Sequence, residues 1–275
     1  MPRILLIFGK VINRLFGYSK AKSKYFQSWK YLHTISLQGM GRKQGSAVEI
    51  SGEENALKNV IQSAEDQIVI MDVGANKGDY TSMICKQPSF QKNIAIHLFE
   101  PSLFNKDVLQ KKFNATNFQK HTFFVNQLAL SDENGSSFLY TDSEGSDLAS
   151  LINLNTSVRK FDDSKKERVQ TITLDEYCKS HNVNSIDLLK IDVEGAEYKV
   201  LKGAHELLEK NQIKNIQFEF GTGNITSRIF FCDFWNLLSA KYNFFQIMSD
   251  GLIPIRKYSI DMEIFQTTNF FLTLK

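Results

Sequence analysis

The first stretch able to do chemistry is Asp72-Val73-Gly74-Ala75-Asn76-Lys77-Gly78, which follows an apolar run and precedes a helix-compatible segment carrying Thr81 and Ser82. Glycines at 74 and 78 let the backbone turn sharply and let a ligand come close. Asp72, at the end of the apolar run, is placed to accept hydrogen bonds from a cationic or hydroxylated ligand. The spacing is near the dinucleotide fingerprint G-x-G-x-x-G, but Asn76 stands where the second Gly belongs. A pyrophosphate needs that bare approach, whereas an amino-acid ligand does not.

Two further stretches carry carboxylates. Phe99-Glu100-Pro101 closes the next apolar run, and a carboxylate there has the position of the acid that accepts ribose hydroxyls in nucleotide-binding sheets. Alone it would read as a surface Glu before a proline turn. Leu188-Leu189-Lys190-Ile191-Asp192-Val193-Glu194-Gly195-Ala196-Glu197 ends an apolar strand in a burst of acids. Lys190 and Asp192 share one face by the two-residue period, and a Lys within a buried strand needs a partner. Glu197 belongs in the first turn of the next helix, where the helix dipole favours it. Asp192, Glu194 and Glu219 are the candidate general bases, and Lys190 is another if burial lowers its pKa. A divalent metal on Asp192, Glu194 and Glu219 is an open alternative, although no His joins them and the spacing is not diagnostic. Beyond Glu219, Asn224, Arg228 and Trp235 mix hydrogen-bonding and aromatic groups as a sugar site does. Trp235 suits the core equally well. His97, inside an apolar strand, reads as a core residue.

The elements that must hold these groups follow from periodicity. Apolar runs at Ile68–Val73, Ile94–Phe99, Thr122–Val125, Ile186–Ile191 and Ile216–Phe220 are strand-like, and Ser136–Thr141 adds a further candidate. Helix-compatible segments at Glu54–Ala64, Tyr80–Lys86, Leu103–Phe113, Leu174–Lys179 and Tyr198–Glu209 lie between or before them. Short apolar strands alternating with helices indicate an α/β, mostly parallel sheet covered on both faces.

The chain has 275 residues and a net charge of +3, which excludes a general polyanion binder. Nine of its 33 Lys and Arg and none of its 30 Asp and Glu fall in residues 1–48, so a basic segment precedes an acidic body. Ile4, Leu5, Phe8, Val11, Ile12, Leu15 and Phe16 follow helical spacing, with Arg3, Lys10, Asn13 and Arg14 on the other side. Residues 1–50 thus read as a basic amphipathic appendage, joined through a linker at 39–46 to a body over 51–275. The appendage either docks on the body or contacts an anionic membrane through residues 1–24. Cys85, Cys178 and Cys232 have neither disulfide nor metal spacing. With no run long enough to span a bilayer and no good secretory signal, a cytoplasmic protein is expected, with the membrane periphery as its alternative site.

The stretches DVGANKGDYT, LFEP, ALSD, TLDEY and LLKIDVEGAEYKVLKGA, in that order, resemble the FkbM-type methyltransferase family from about Ile68 to about Phe220. The resemblance implies a class I, Rossmann-like doubly wound fold with a seven-stranded sheet, S-adenosylmethionine as cofactor, and O-methylation of a hydroxyl on a sugar, glycan or related metabolite. It assigns Asp72, Gly74, Asn76 and Gly78, with Thr81, to the methionine side of the donor. It places Glu100 and Pro101 at the ribose, the Ala129–Asp132 stretch near adenine, and Asp192 and Glu194 facing the methyl. The loop departs from the family in carrying Lys77 where Ile or a similar residue is common, followed by Asp79. Two other classes remain: a nicotinamide-dependent oxidoreductase, against which Asn76 and the acids stand, and a non-catalytic donor-binding module, against which the acids stand. The acceptor's identity and the oligomeric state are not readable from the residues.

Overall fold

A computed structural model describes residues 3–16, 25–42, 51–63, 67–86, 93–114, 120–154, 161 and 165–275. The α-helices among these residues are α1 (Arg3–Phe16), α2 (Phe26–Gly39), α3 (Glu53–Ser63), α4 (Asp79–Lys86), α5 (Leu103–Phe113), α6 (Leu174–Ser180), α7 (Glu197–Lys202), α8 (His205–Glu209), α9 (Gly223–Ser227) and α10 (Phe231–Leu238). The strands are β1 (Gln67–Val73), β2 (Asn93–Phe99), β3 (Thr122–Asn126), β4 (Ala129–Leu130), β5 (Gly135–Leu139), β6 (Glu167–Ile172), β7 (Leu188–Ile191), β8 (Asn215–Phe220), β9 (Tyr242–Met248), β10 (Gly251–Ile255) and β11 (Thr268–Leu274).

The chain falls into two compact units, Met1–Lys43 and Gln44–Lys275. The first holds α1 and α2. On α1, Ile7 and Val11 are exposed together with Lys10 and Arg14. Phe26, Tyr31, Leu32 and Ile35 are exposed on α2. No helix among the described residues is long and apolar enough to cross a membrane. Residues 17–24 and the second half of the expected linker, 43–46, lie outside the described residues.

The second unit is built on a sheet of order β10-β9-β11-β8-β7-β1-β2-β3. From β8 to β3 every pair is parallel, while β11, β9 and β10 add an antiparallel edge. This is the doubly wound arrangement of a class I methyltransferase, in which strand order reverses between β1 and its neighbours β2 and β7. Such a reversal opens a crevice at the strands' carboxyl ends. The seven strands expected become eight among the described residues, because β9 turns back through Ser249 and Asp250 to pair with β10. Strands β4, β6 and β5 form a separate small sheet.

Alternation along the strands divides the core in two. Ile68, Ile70, Ile94, Ile96, Leu98 and Leu188 pack on one face with apolar residues of α3, α4 and α5. Met71, Val73, Phe99, Leu189, Ile191 and Phe218 pack on the other with α6, α7, α8 and α10. The helix expected over Tyr198–Glu209 is two helices, since it breaks at Gly203, where an added Cβ would strike the Ser131 carbonyl.

Candidate active site

The same alternation lines up the polar residues. Asp72 lies opposite Lys190 across β1 and β7, and Lys190 lies opposite Gln217 across β7 and β8. Glu219 lies opposite Asn269 across β8 and β11. Stepping by two from Lys190 and Gln217 puts Asp192 and Glu219 on this same face, the one covered by α3 and α4. Their side of the sheet opens into a cleft of about 680 Å³ lined by residues from β1, β2, β7, β8 and the loops beyond them.

Lys190 is the centre of the buried part. Its ammonium lies 3.4 Å from Asp72 Oδ1, 3.5 Å from Asp192 Oδ2 and 5.3 Å from the centroid of the Tyr80 ring. Burial alone would lower its pKa, but Asp72, Asp192 and Glu53 outweigh burial and raise it above the ordinary lysine value. Lys190 therefore holds its proton and is a counter-ion. The condition for a lysine base, a pKa lowered by burial, is not met, because Asp72, Asp192 and Glu53 raise it. Thr81 does not line the cleft. Its hydroxyl donates to Asp72 Oδ2 at 2.7 Å and orients that carboxylate.

The turn after β1 has two left-handed glycines with different duties. Gly74, at φ 77°, lines the cleft, and a Cβ there would sit on the Asp192 carbonyl oxygen. Its bareness joins the ends of β1 and β7. Gly78, at φ 76°, is buried against α5, where a Cβ would lie 2.5 Å from the Phe113 ring. It serves helix packing and does not line the cleft. Asn76 adopts φ 47°, a conformation that Asn tolerates better than most residues.

Glu100 caps the same turn. Its Oε2 accepts from the Asn76 N–H and its Oε1 from the Ser102 N–H, both at 2.9 Å. Burial raises its pKa to about 7 against the opposing pull of those two bonds. Pro101, Ala129 and Leu130 line the cleft beside it, whereas Asp132 does not. Asp132 faces Lys199 at 3.7 Å and Lys202 at 3.6 Å on α7.

Asp192, Glu194 and Glu219 all line the cleft. The loop from Asp192 to Gly195 is shaped by Glu197, which is buried and accepts from the Val193 N–H at 3.1 Å and the Gly195 N–H at 2.9 Å. Glu197 is thus a loop anchor more than a partner of the helix dipole. Glu219 has a pKa well above the ordinary carboxylate range, pushed there by burial first and then by Asp192, Glu194, Glu197 and Glu53. Among the described residues, no group of three or more His, Cys, Asp or Glu is arranged to hold a metal ion.

The three residues expected to contact a sugar do not line the cleft. Asn224 is buried and its Oδ1 accepts from the Gly221 N–H at 2.9 Å. Arg228 is exposed at the left-handed end of α9. Trp235 packs beside Phe244, 4.8 Å between ring centroids, against the core. His97 also sits in the core, 2.8 Å from the Tyr177 hydroxyl.

Other lining residues were not singled out from sequence. Ser51 and Glu53 come from the start of α3. Glu53 is buried and accepts from Gln217 Nε2 at 2.6 Å and Ser51 Oγ at 2.7 Å, and the Tyr80 hydroxyl donates to Gln217 Oε1 at 3.1 Å. The alternation of Gln217 with Glu219 in IQFEF was a usable signal for Gln217; nothing local marked Ser51 or Glu53. Loop residues 146–151 cover the cleft, tied down by Asp147 Oδ1 to Asn76 Nδ2 at 3.1 Å and Lys77 Nζ at 3.0 Å. Lys77 and Asp79 therefore do not pair with each other: Asp79 meets Lys112 of α5 at 3.0 Å.

A family model described as the methyltransferase FkbM domain matches residues 72–245. The chain belongs to this family. The FkbM segment includes Asp72, the glycine turn, Glu100 and the acids of β7 and β8. Among curated proteins, the chain is 27% identical over 174 residues to the hexuronic acid methyltransferase AglP of Haloferax volcanii, a match covering 63% of this chain and 65% of that protein. It is 29% identical over 155 residues to the 2-O-methyltransferase NoeI of Sinorhizobium fredii, covering 52% of this chain and 60% of that one. The chain thus spans a little less than two thirds of the length of these relatives. The crystal structure of methyltransferase FkbM from Methylobacillus flagellatus superposes with a TM-score of 0.44 at 14% identity, covering 94% of this chain and 63% of that one.

Proposed function

We propose that the protein is an S-adenosylmethionine-dependent O-methyltransferase acting on a hydroxyl of a sugar, glycan or related small molecule. One observation carries the reading: in an FkbM chain, the Gly74–Lys77 turn, Glu100 and the acids Asp192, Glu194 and Glu219 converge on a single cleft. The curated relatives' names point to sugar acceptors.

The residues present fit the donor. Asp72 does not line the cleft: buried behind the turn at Gly74, with Lys190 3.4 Å from its Oδ1 and Thr81 donating to its Oδ2, it braces the turn, and Gly74, Ala75 and Asn76 form the wall open to the donor. Each oxygen of Glu100 has one N–H and keeps a lone pair for a ribose hydroxyl. Ala129 and Leu130 offer an apolar wall for a base. Bound there, S-adenosylmethionine supplies a methyl already activated on a sulfonium.

The protein's part is to hold the acceptor hydroxyl in line and to take its proton. Glu219 is the base in this reading. It lines the cleft and, among the described residues, has no salt bridge of the kind that ties Asp192 to Lys190. Asp192, leashed to Lys190, positions the donor side, and Glu194 borders the methyl. Purified protein should transfer labelled methyl from S-adenosylmethionine to a glycan extract. Failure to bind the donor in calorimetry, with no transfer, would exclude this function.

A second reading concerns location. Exposed Ile7 and Val11 beside Lys10 and Arg14 on α1 support contact of residues 1–24 with an anionic membrane. Three free cysteines fit a reducing, cytoplasmic setting. Co-sedimentation with phosphatidylserine vesicles, but not with phosphatidylcholine vesicles, is the expected result.

A further inference from the structure

Four residues that line the cleft lie outside the segment that matches the family: Ser51 and Glu53 before it, Thr267 and Asn269 after it. They stand on the same side of the sheet as Glu219. Asn269 is its direct neighbour across β8 and β11. Glu53 is bound to Gln217, one pleat below Glu219 on β8. The donor-side groups, by contrast, gather at β1 and β2. The face of β8 and β11 therefore borders the proposed base from the side away from the glycine turn.

The chemistry of this wall is selective. Thr267 and Asn269 present a hydroxyl and a carboxamide, and Ser51 adds a second hydroxyl. Among the described residues lining the cleft, the cations are Lys77 and Lys190, against seven acids: Glu53, Asp79, Glu100, Asp147, Asp192, Glu194 and Glu219. Both lysines are engaged, Lys77 by Asp147 at 3.0 Å and Lys190 by Asp72 and Asp192. An acceptor carboxylate or phosphate placed here would lose its water and meet, among the described lining residues, only lysines already engaged by carboxylates. Hydroxyls and amines meet hydrogen-bond acceptors on Glu53, Glu219, Thr267 and Asn269.

Resting on the methyltransferase reading above, we infer that Thr267 and Asn269, with Glu53 and Glu219, form the acceptor subsite, and that it takes a neutral or amine-bearing sugar in preference to one carrying a carboxylate or phosphate. Asn269 is a positioning and specificity residue; Glu219 alone receives the proton.

The test is methyl transfer from labelled S-adenosylmethionine by the full chain to an immobilised glycan panel in which neutral, amino, uronic and phosphorylated sugars are matched, with donor affinity measured in parallel. Label should favour the neutral and amino glycans by at least about tenfold. On the best acceptor, Asn269→Ala should raise KM about tenfold with a smaller change in kcat and unchanged donor affinity. Thr267→Lys should shift the ratio of uronic to neutral transfer upward. Equal or better transfer to uronic or phosphorylated glycans overturns the charge preference and leaves the methyltransferase reading standing. An Asn269→Ala enzyme with wild-type acceptor KM overturns the subsite. Donor binding with no glycan methylated removes the parent reading, and this inference with it.

Discussion

At Glu219 and Asp192 the same carboxylate chemistry meets different neighbours. Asp192 has an ammonium 3.5 Å away, whereas Glu219 has acids around it. Replacing Glu219 with Gln should lower turnover ~10²–10⁴-fold with donor affinity retained, read by steady-state kinetics beside calorimetry. Asp192→Asn should instead weaken donor binding. Lys190→Met leaves Asp72 and Asp192 facing a site without its cation, and a loss of about 3–5 kcal/mol in denaturant unfolding is expected, as for breaking a buried ion pair. Glu100 adds a pH signature. Its folded pKa of about 7 lies above the ordinary carboxylate value of 4.5, so the folded chain keeps this proton while the unfolded chain loses it. Its contribution to stability therefore falls as pH rises between those values. The ionised form is the one that accepts ribose hydroxyls, so donor affinity should rise as pH passes about 7, and Glu100→Gln should flatten that profile in calorimetric titrations.

Elements bring these residues together through two kinds of joint. The first is the turn between β1 and α4, pressed on α5 at Gly78. Gly78→Ala meets both a positive φ and the Phe113 ring, and a stability loss of about 1–3 kcal/mol is expected, typical of overpacking, together with weaker donor binding. The second is the loop after β7, held by Glu197 through two backbone N–H groups. Glu197→Ala strands both donors in the interior, at roughly 1–3 kcal/mol for each unsatisfied group, and should slow turnover because Asp192 and Glu194 ride on that loop. Thermal melts and kinetics of the two variants check these outcomes. The strands that carry the motifs were visible as apolar runs because parallel strands buried on both faces read that way. Strands β6, β9, β10 and β11 were not, since ERVQTI mixes polar and apolar residues in the small sheet, GLIPI is a short edge strand carrying Gly and Pro, and β9 and β11 are hard to tell from helix by a short apolar run alone.

At the scale of the molecule, Met1–Lys43 and Gln44–Lys275 are separate units, and all the residues lining the cleft belong to the second. A chain starting at Gln44 is expected to bind S-adenosylmethionine as the full chain does, and to lose the attraction to anionic vesicles. Unfolding of that shortened chain in a melt, or loss of donor binding, would show that the first unit supports the site.

The glycine-turn side of the cleft was legible in the residues because it is local. A glycine turn, Glu100 and the acids after β7 each follow their own strand directly, and strand ends meet where the sheet reverses. The β8–β11 wall of the cleft was not legible. Asn224, Arg228 and Trp235 had suitable chemistry next to Glu219 in sequence, but α9 and α10 carry them away from the cleft. Ser51, Glu53, Thr267 and Asn269 reach it only because α3 covers the sheet and β11 pairs antiparallel with β8, across the 47 residues of chain between Glu219 and Thr267. Whether Lys190 is a base or a counter-ion was likewise a tertiary matter: its charge depends on Asp72 and Glu53, which other elements deliver to its side.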